Sequence, residues 1–208
     1  EPLIWQSGAP RPNAMDLTIV LHLGTLGSIL VYYRQRIWRL LGEDRWVLWL
    51  LCVGTVPAVA LVLTDKLLLN EWIESTLKST LLTGCMLIVT GSMLIVAQRL
   101  GTGNRDYRSL RTYESVLIGC AQATAILPGL SRSGTTISSG LALGLSRPGA
   151  AAYSFLLAIP ALAGAGVYKG YDMLKHPEAL STSPLNMAIG CLVSFLVGLV
   201  AIAALTRV

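Results

Sequence analysis

Residues 128–136, reading Pro-Gly-Leu-Ser-Arg-Ser-Gly-Thr-Thr, set one arginine among hydroxyls and glycines inside an otherwise apolar stretch. These residue types are the donors an oxyanion needs. Arg132 offers a planar fork matched to two phosphate oxygens, Ser131, Ser133, Thr135 and Thr136 offer hydroxyls, and Gly134 allows close backbone approach. Pro128 and Gly129 stop an incoming helix, Ser131 or Ser133 can cap an outgoing one, and a helix start with free amides is an anion site. Together they can hold a diphosphate and stabilise charge as a phosphorus to oxygen bond breaks. The plainer reading makes Arg132 a snorkelling or helix-pairing residue and the hydroxyls packing glue. An arginine inside a spanning segment costs roughly 2.5 to 3.5 kcal/mol on insertion scales. With serines on both sides and Pro-Gly before it, the anion site is the better account.

Other polar side chains lie in apolar surroundings. Gln122, six residues before Pro128, either lines the same cavity or pairs with a neighbouring helix. His22, in Ile-Val-Leu-His-Leu-Gly, can act as a base or a phosphate donor, though a satisfied core histidine is the plainer reading. His176, beside Pro177, reads as solvated, and Glu114, three residues after Arg111, as half of a surface pair. Cys52, Cys85, Cys120 and Cys191 show no metal-ligand spacing and read as small core hydrophobes.

The elements that must position this chemistry are membrane helices. Of the 208 residues 53 % are hydrophobic and 13 % charged, with a mean hydropathy of +0.63, outside the range of ordinary soluble domains. The net charge of +5 sits in short basic clusters between apolar segments, as orientation signals do, and not in a patch for nucleic acid. Stretches long enough to span a bilayer fall at Met15–Tyr33, Trp46–Leu63, Thr80–Gln98, Ala150–Tyr168 and Leu185–Leu205. Residues 113–145 are apolar at both ends but broken by Pro-Gly-Leu-Ser-Arg-Ser-Gly, and read as a re-entrant helix, loop and helix. The fold expected is all-α and polytopic, one membrane domain over 1–208, with about five spans plus the re-entrant element. Arginines concentrate in 34–45 and 99–111, which places both loops in the cytoplasm, whereas Thr64–Ser79 and Lys169–Ser183 read as outside. Pro57 and Pro160, in similar Val-Pro-Ala and Ile-Pro-Ala settings within spans, hint at an internal inverted repeat with a midplane site.

The block Gly119–Ala165, with Gln122, Pro128 to Ile137, Ser146-Arg147 and Ser154 to Ala161 in order, resembles the undecaprenyl-diphosphate phosphatase family, known from bacitracin resistance. Leu-His-Leu-Gly-Thr-Leu-Gly from Leu21 and the Gly-Thr-Val-Pro-Ala span are similar to it as well. The resemblance implies a multi-pass hydrolase of the bacterial inner membrane. It would remove the terminal phosphate of undecaprenyl diphosphate, giving the monophosphate carrier lipid for peptidoglycan, in a pocket open to the periplasm. It also implies a divalent cation, magnesium or calcium, and a polyprenyl diphosphate lipid as the partner. Arg132 would clamp the diphosphate, with Ser131, Ser133 and Thr136 around it.

The family's acidic ExxxE stretch and PxSSxGH loop precede the segment matching Leu21, and nothing before Met15 matches them. Glu1 and Asp16 are the only early carboxylates. The attacking Ser or His and the metal ligands are therefore expected outside this stretch, as is a further apolar helix after Val208. The sequence reads as a fragment that is inactive by itself. The rival from another class is a carrier-lipid or anion transporter, because broken helices about a midplane site also serve alternating access; a third reading is a non-catalytic relative that binds lipid diphosphate.

Overall fold

The computed structural model describes residues 14–68, 79–100, 103–175 and 183–207. His176 and much of the two loops read as external lie outside them. The described residues form eight α-helices: α1 (Ala14–Tyr32), α2 (Arg34–Leu40), α3 (Arg45–Leu68), α4 (Thr80–Leu100), α5 (Thr112–Thr124), α6 (Arg132–Ala142), α7 (Arg147–Lys175) and α8 (Pro184–Arg207). One turn of 3-10 helix, Tyr107–Ser109, precedes α5. Four helices carry stretches long and apolar enough to cross a membrane: Arg45–Asp65, Thr80–Arg99, Arg147–Val167 and Leu185–Thr206. The fifth expected span folds as α1, whose apolar part is the shorter Val20–Tyr32. The chain is an all-α, multi-pass membrane protein.

Large apolar side chains face outward along these helices, Leu81, Ile88, Val167 and Val200 among them, as a hydrocarbon solvent requires. This inversion corrects the reading of the cysteines as core residues. Cys52, Cys85 and Cys120 are exposed, Cys191 is half-buried, and all four are free thiols. Lipid makes an outward cysteine no costlier than an inward one.

The chain divides into two compact units, Glu1–Arg34 with Ala161–Val208, and Gln35–Pro160. In the first, α1 packs on α8 through small residues four apart, Gly24 and Ser28 on one helix and Ser194 and Gly198 on the other. Such stripes let membrane helices approach until backbone touches backbone. Ser194 Oγ donates to the Leu21 carbonyl at 2.6 Å and lies 3.0 Å from Thr25 Oγ1.

In the second unit α3 crosses α5 where Gly54 meets Gly119; a Cβ on Gly119 would run into the Gly54 carbonyl. One turn away Ser115 Oγ donates to the Leu50 carbonyl at 2.6 Å and lies 2.7 Å from the Tyr153 hydroxyl, tying α3, α5 and α7 together. Ile118, Leu50, Leu156 and Leu157 pack around this crossing with no measurable exposure.

The segments before α5 and after α6 are joined to each other. Arg105 N donates to the Gly144 carbonyl at 3.2 Å and Ser146 N to the Arg105 carbonyl at 2.9 Å. Gly144, at φ +84°, ends α6 in a Schellman turn, with Gly144 N bonded to Leu141 O at 2.9 Å and Leu145 N to Gly140 O at 3.0 Å. The Arg105 guanidinium then grips both carboxylate oxygens of Glu114 at 2.8 and 3.0 Å and reaches the Leu143 carbonyl at 2.9 Å. Both feet of the helix, loop and helix element therefore stand at one end of the unit. Glu114 is buried, not on the surface, and its ion-pair partner is Arg105 rather than Arg111, whose backbone N–H it accepts at 2.7 Å. The bonds from Arg105 hold its carboxyl below the usual range against the opposing pull of burial. The two basic loops meet at the same end: Arg108 pairs with Asp44 at 3.1 Å, and Trp46 donates to the Leu110 carbonyl at 3.1 Å.

Because α3 and α5 touch through backbone, Gly119→Ala is expected to destabilise the folded protein by about 1 to 3 kcal/mol through overpacking. Gly84→Ala, where a Cβ would meet nothing within 4 Å, should leave stability unchanged. Thermal unfolding in detergent, compared between the two variants, checks both.

Candidate phosphate-binding site

The break between α5 and α6 spans residues 125–131. Thirteen residues of α5 and eleven of α6 reach only about 20 and 16 Å at 1.5 Å per residue, short of a hydrocarbon core of about 30 Å. Polar groups at the break must therefore be satisfied within the protein. Gly129 turns the chain at φ +86°, and a Cβ there would collide with the Thr83 carbonyl of α4. The turn is pressed against α4 where only glycine fits. Thr90, ten residues inside α4 and so about 15 Å from its start, donates its hydroxyl to the Gly129 carbonyl at 3.1 Å and accepts from Ser131 N at 3.0 Å.

Ser131, in extended geometry, is the N-cap of α6, and its Oγ accepts from Gly134 N at 3.1 Å. Its carbonyl takes Thr135 N at 2.8 Å. Thr135 N makes the first regular bond of the helix, and of the four amide donors that precede it those of Ser131 and Gly134 are occupied by Thr90 and by the Ser131 hydroxyl, while those of Arg132 and Ser133 have no partner among the described residues. Ser133 is exposed with its Oγ 3.5 Å from that of Ser131. Of the two serines offered as caps by the sequence, Ser131 serves and Ser133 is left open to the site.

Arg132 is half-buried. Its Nε and Nη2 both donate to Gln122 Oε1, at 3.2 and 2.9 Å. Five N–H donors belong to a guanidinium, and this amide takes two of them, so the fork is held in place with its charge intact. Gln122 itself is only 4 % exposed, and its Nε2 is buried without a hydrogen-bond partner. A buried unpaired amide is costly, and this one sits beside the arginine.

The two threonines turn away from the expected role of direct donors. Thr135 and Thr136 are buried, and both hydroxyls bond back to the Arg132 carbonyl, at 2.8 and 2.9 Å. Thr136 also joins the Ser154 hydroxyl of α7. They lie three and four residues after Arg132, on its face of the helix, but their hydroxyls are buried and bonded to the backbone, so they anchor the start of α6. Gly134 is buried over Ser131 and Leu94. Gln122 and residues 131–136 are all in the second unit, whereas His22 belongs to the first. His22 is exposed, not core, and its Nδ1 donates to the Thr18 carbonyl at 2.7 Å.

The sequence reading missed Thr90 and Ser154. Thr90 lies in an apolar run, Leu-Ile-Val-Thr-Gly-Ser, where a threonine reads as helix packing. Among the described residues no three His, Cys, Asp or Glu side chains gather as metal ligands. The donors at the loop are guanidinium, amide and hydroxyl groups, which fit an anion and do not fit a cation. Gln122→Glu tests whether the neutral partner matters: a carboxylate would pair with Arg132 and cancel its charge. Protection against heat by orthophosphate should then require about tenfold more phosphate, with folding retained.

A family model described as bacitracin resistance protein BacA matches residues 3–208. The chain is 50 % identical over 195 residues to the undecaprenyl-diphosphatase of Rhodopirellula baltica, covering 94 % of this chain and 74 % of that relative. The protein of the same name from Corynebacterium efficiens is 36 % identical, with 99 % and 72 % covered, and that from Micrococcus luteus is 37 % identical, with 94 % and 76 % covered. Since the match runs through both units and takes in the whole α5, loop and α6 element, the chain belongs to the bacitracin resistance protein BacA family.

Proposed function

We propose that this protein hydrolyses undecaprenyl diphosphate to undecaprenyl phosphate and inorganic phosphate, and that the α5–α6 break holds the phosphoryl group that leaves. Its relatives carry the name undecaprenyl-diphosphatase. The observation that carries the site reading is Arg132, fixed by the neutral Gln122 with no carboxylate on its guanidinium among the described residues. The reaction adds water across the anhydride: the bond from the terminal phosphorus to the bridging oxygen breaks, and that oxygen stays on the lipid monophosphate. Negative charge grows on the bridging oxygen and is redistributed over the phosphoryl oxygens. Arg132, its open amide and that of Ser133 are donors fixed in advance, which stabilise such charge without reorganising. Ser131 and Ser133 complete the rim, while Thr136 holds it from behind. A divalent cation, magnesium or calcium, belongs to this reading as a companion of the diphosphate, held chiefly by phosphate oxygens.

The break faces the periplasm in this reading and the membrane is the bacterial inner one. Basic loops 34–45 and 99–111 stand at one end of the second unit and mark the cytoplasmic side. The break is carried away from that end by the length of α5, toward the opposite face. A reporter fused at Asn104 should accordingly read cytoplasmic; an external signal would reverse the orientation.

Phosphate release from undecaprenyl diphosphate by the full-length protein tests the site. Arg132→Ala should lower it by about 10² to 10³, the usual loss for one preorganised donor. Arg132→Lys, which keeps the charge but loses the fork, should recover only part. Unchanged release by folded Arg132→Ala would overturn the assignment.

A further inference from the structure

We propose that Thr90 is a positioning residue of the phosphate site, acting through the Gly129–Ser131 backbone that its hydroxyl spans. The inference rests on the phosphate-site reading above and adds a residue on a helix that the motif does not include. Thr90 is 8 % exposed. Its single hydroxyl serves two backbone groups at once, donating to the Gly129 carbonyl at 3.1 Å and accepting from Ser131 N at 3.0 Å. Gly129 and Ser131 flank Leu130, so α4 holds both sides of the residue where the chain changes from turn to helix. The contact is close: Gly129 at φ +86° leaves no room for a Cβ beside Thr83. Ser131 is also the N-cap whose Oγ accepts from Gly134 N at 3.1 Å and whose carbonyl accepts from Thr135 N at 2.8 Å. Fixing Ser131 N therefore fixes the first turn of α6, and with it the direction of the open Arg132 and Ser133 amides and the root of the Arg132 side chain.

No other side chain is hydrogen-bonded to the Gly129 carbonyl or to Ser131 N among the described residues. Without the hydroxyl, both groups would be unpaired in an apolar setting and the turn would shift to satisfy them. A displacement of about 1 Å in a donor costs on the order of 10²-fold in rate. The Thr90 hydroxyl is engaged by these two backbone groups and acts through them. It sets the geometry of the open Arg132 and Ser133 amides.

The test uses the full-length enzyme with Thr90→Val, which keeps shape and loses the hydroxyl, and Thr90→Ser, which keeps the hydroxyl. Two readouts are taken for each: phosphate release per folded molecule, and the inhibition constant of added orthophosphate. Thr90→Val should lower release by about 10 to 10²-fold and weaken orthophosphate inhibition at least fivefold, with Thr90→Ser within about twofold of the parent in both. Loss of a merely structural contact would reduce the folded fraction and leave the inhibition constant of the remaining molecules unchanged. That result, or full activity in Thr90→Val, overturns the proposal. If Thr90→Val does not accumulate, Thr90→Ala replaces it, judged by the same inhibition constant. Arg132→Ala is run alongside: if it retains hydrolysis, the phosphate-site reading itself fails, whereas an inactive Arg132→Ala with normal orthophosphate inhibition in Thr90→Val removes only the role of Thr90.

Discussion

A guanidinium held by a neutral amide at the break of two short helices is the constraint on which the second unit depends. Arg132 has Gln122 and, among the described residues, no carboxylate on it. An arginine in a setting of low polarity is tolerated only where its field is spent on something. Everything nearby serves to keep it fixed without neutralising it. Gln122 is buried on α5, α5 is locked to α3 by the Gly54 and Gly119 contact, and Ser115 ties both to Tyr153 of α7. The far side of the break is set by α6, whose first turn is capped by Ser131 and joined to α7 through Thr136 and Ser154. The donor fork is thus placed by four helices, α3, α5, α6 and α7.

The irregular backbone at the break follows the same logic. A continuous helix would satisfy its own amides and offer nothing to an anion. A break frees donors, and lipid would make that costly unless each remaining group found a partner. Thr90 supplies that partner for the Gly129 carbonyl and Ser131 N, and the Ser131 hydroxyl supplies it for Gly134 N. The opposite end of the element is closed as tightly, by Arg105 across Glu114, Ser109 and Leu143 and by the Gly144 turn. At the start of α6 the amides of Arg132 and Ser133 are left without a partner among the described residues, at the place where Arg132 stands.

The helices were legible in the sequence because membrane spans announce themselves by length and composition. Residues 80–98 and 185–205 needed little beyond an apolar count, and Pro128-Gly129 fixed the break because neither continues a helix. Arg132 and Gln122 stood out as polar groups in apolar surroundings. What the sequence did not disclose was the partner each polar side chain finds. It offered Thr135 and Thr136 as donors, but in the fold their hydroxyls are buried and bonded to the Arg132 carbonyl; it offered Glu114 as a surface residue paired with Arg111, but Arg105 reaches it across the base of the hairpin. Thr90 could not be found from its own surroundings, since its partners lie about forty residues away. Long-range hydrogen bonds from a mid-helix threonine leave no local pattern. The cysteines differ for another reason: an apolar stretch signals burial in a soluble core, but where the solvent is lipid it is as compatible with an outward face.

The choice of an amide rather than a carboxylate beside Arg132 bears on turnover as well as on binding. A carboxylate would hold the fork more strongly, but each anion would then compete with a permanent internal one. An amide oxygen orients two N–H groups and leaves the other donors of the guanidinium without a protein acceptor among the described residues. Gln122 Nε2 is buried and unpaired on the same side chain, so the amide is also short of one partner. On the proposed reading, a phosphoryl group entering the break supplies the missing partner of the guanidinium. Affinity obtained in this way is bounded, because it comes from a few donors and one charge. A site that must let go of inorganic phosphate after each reaction needs that bound.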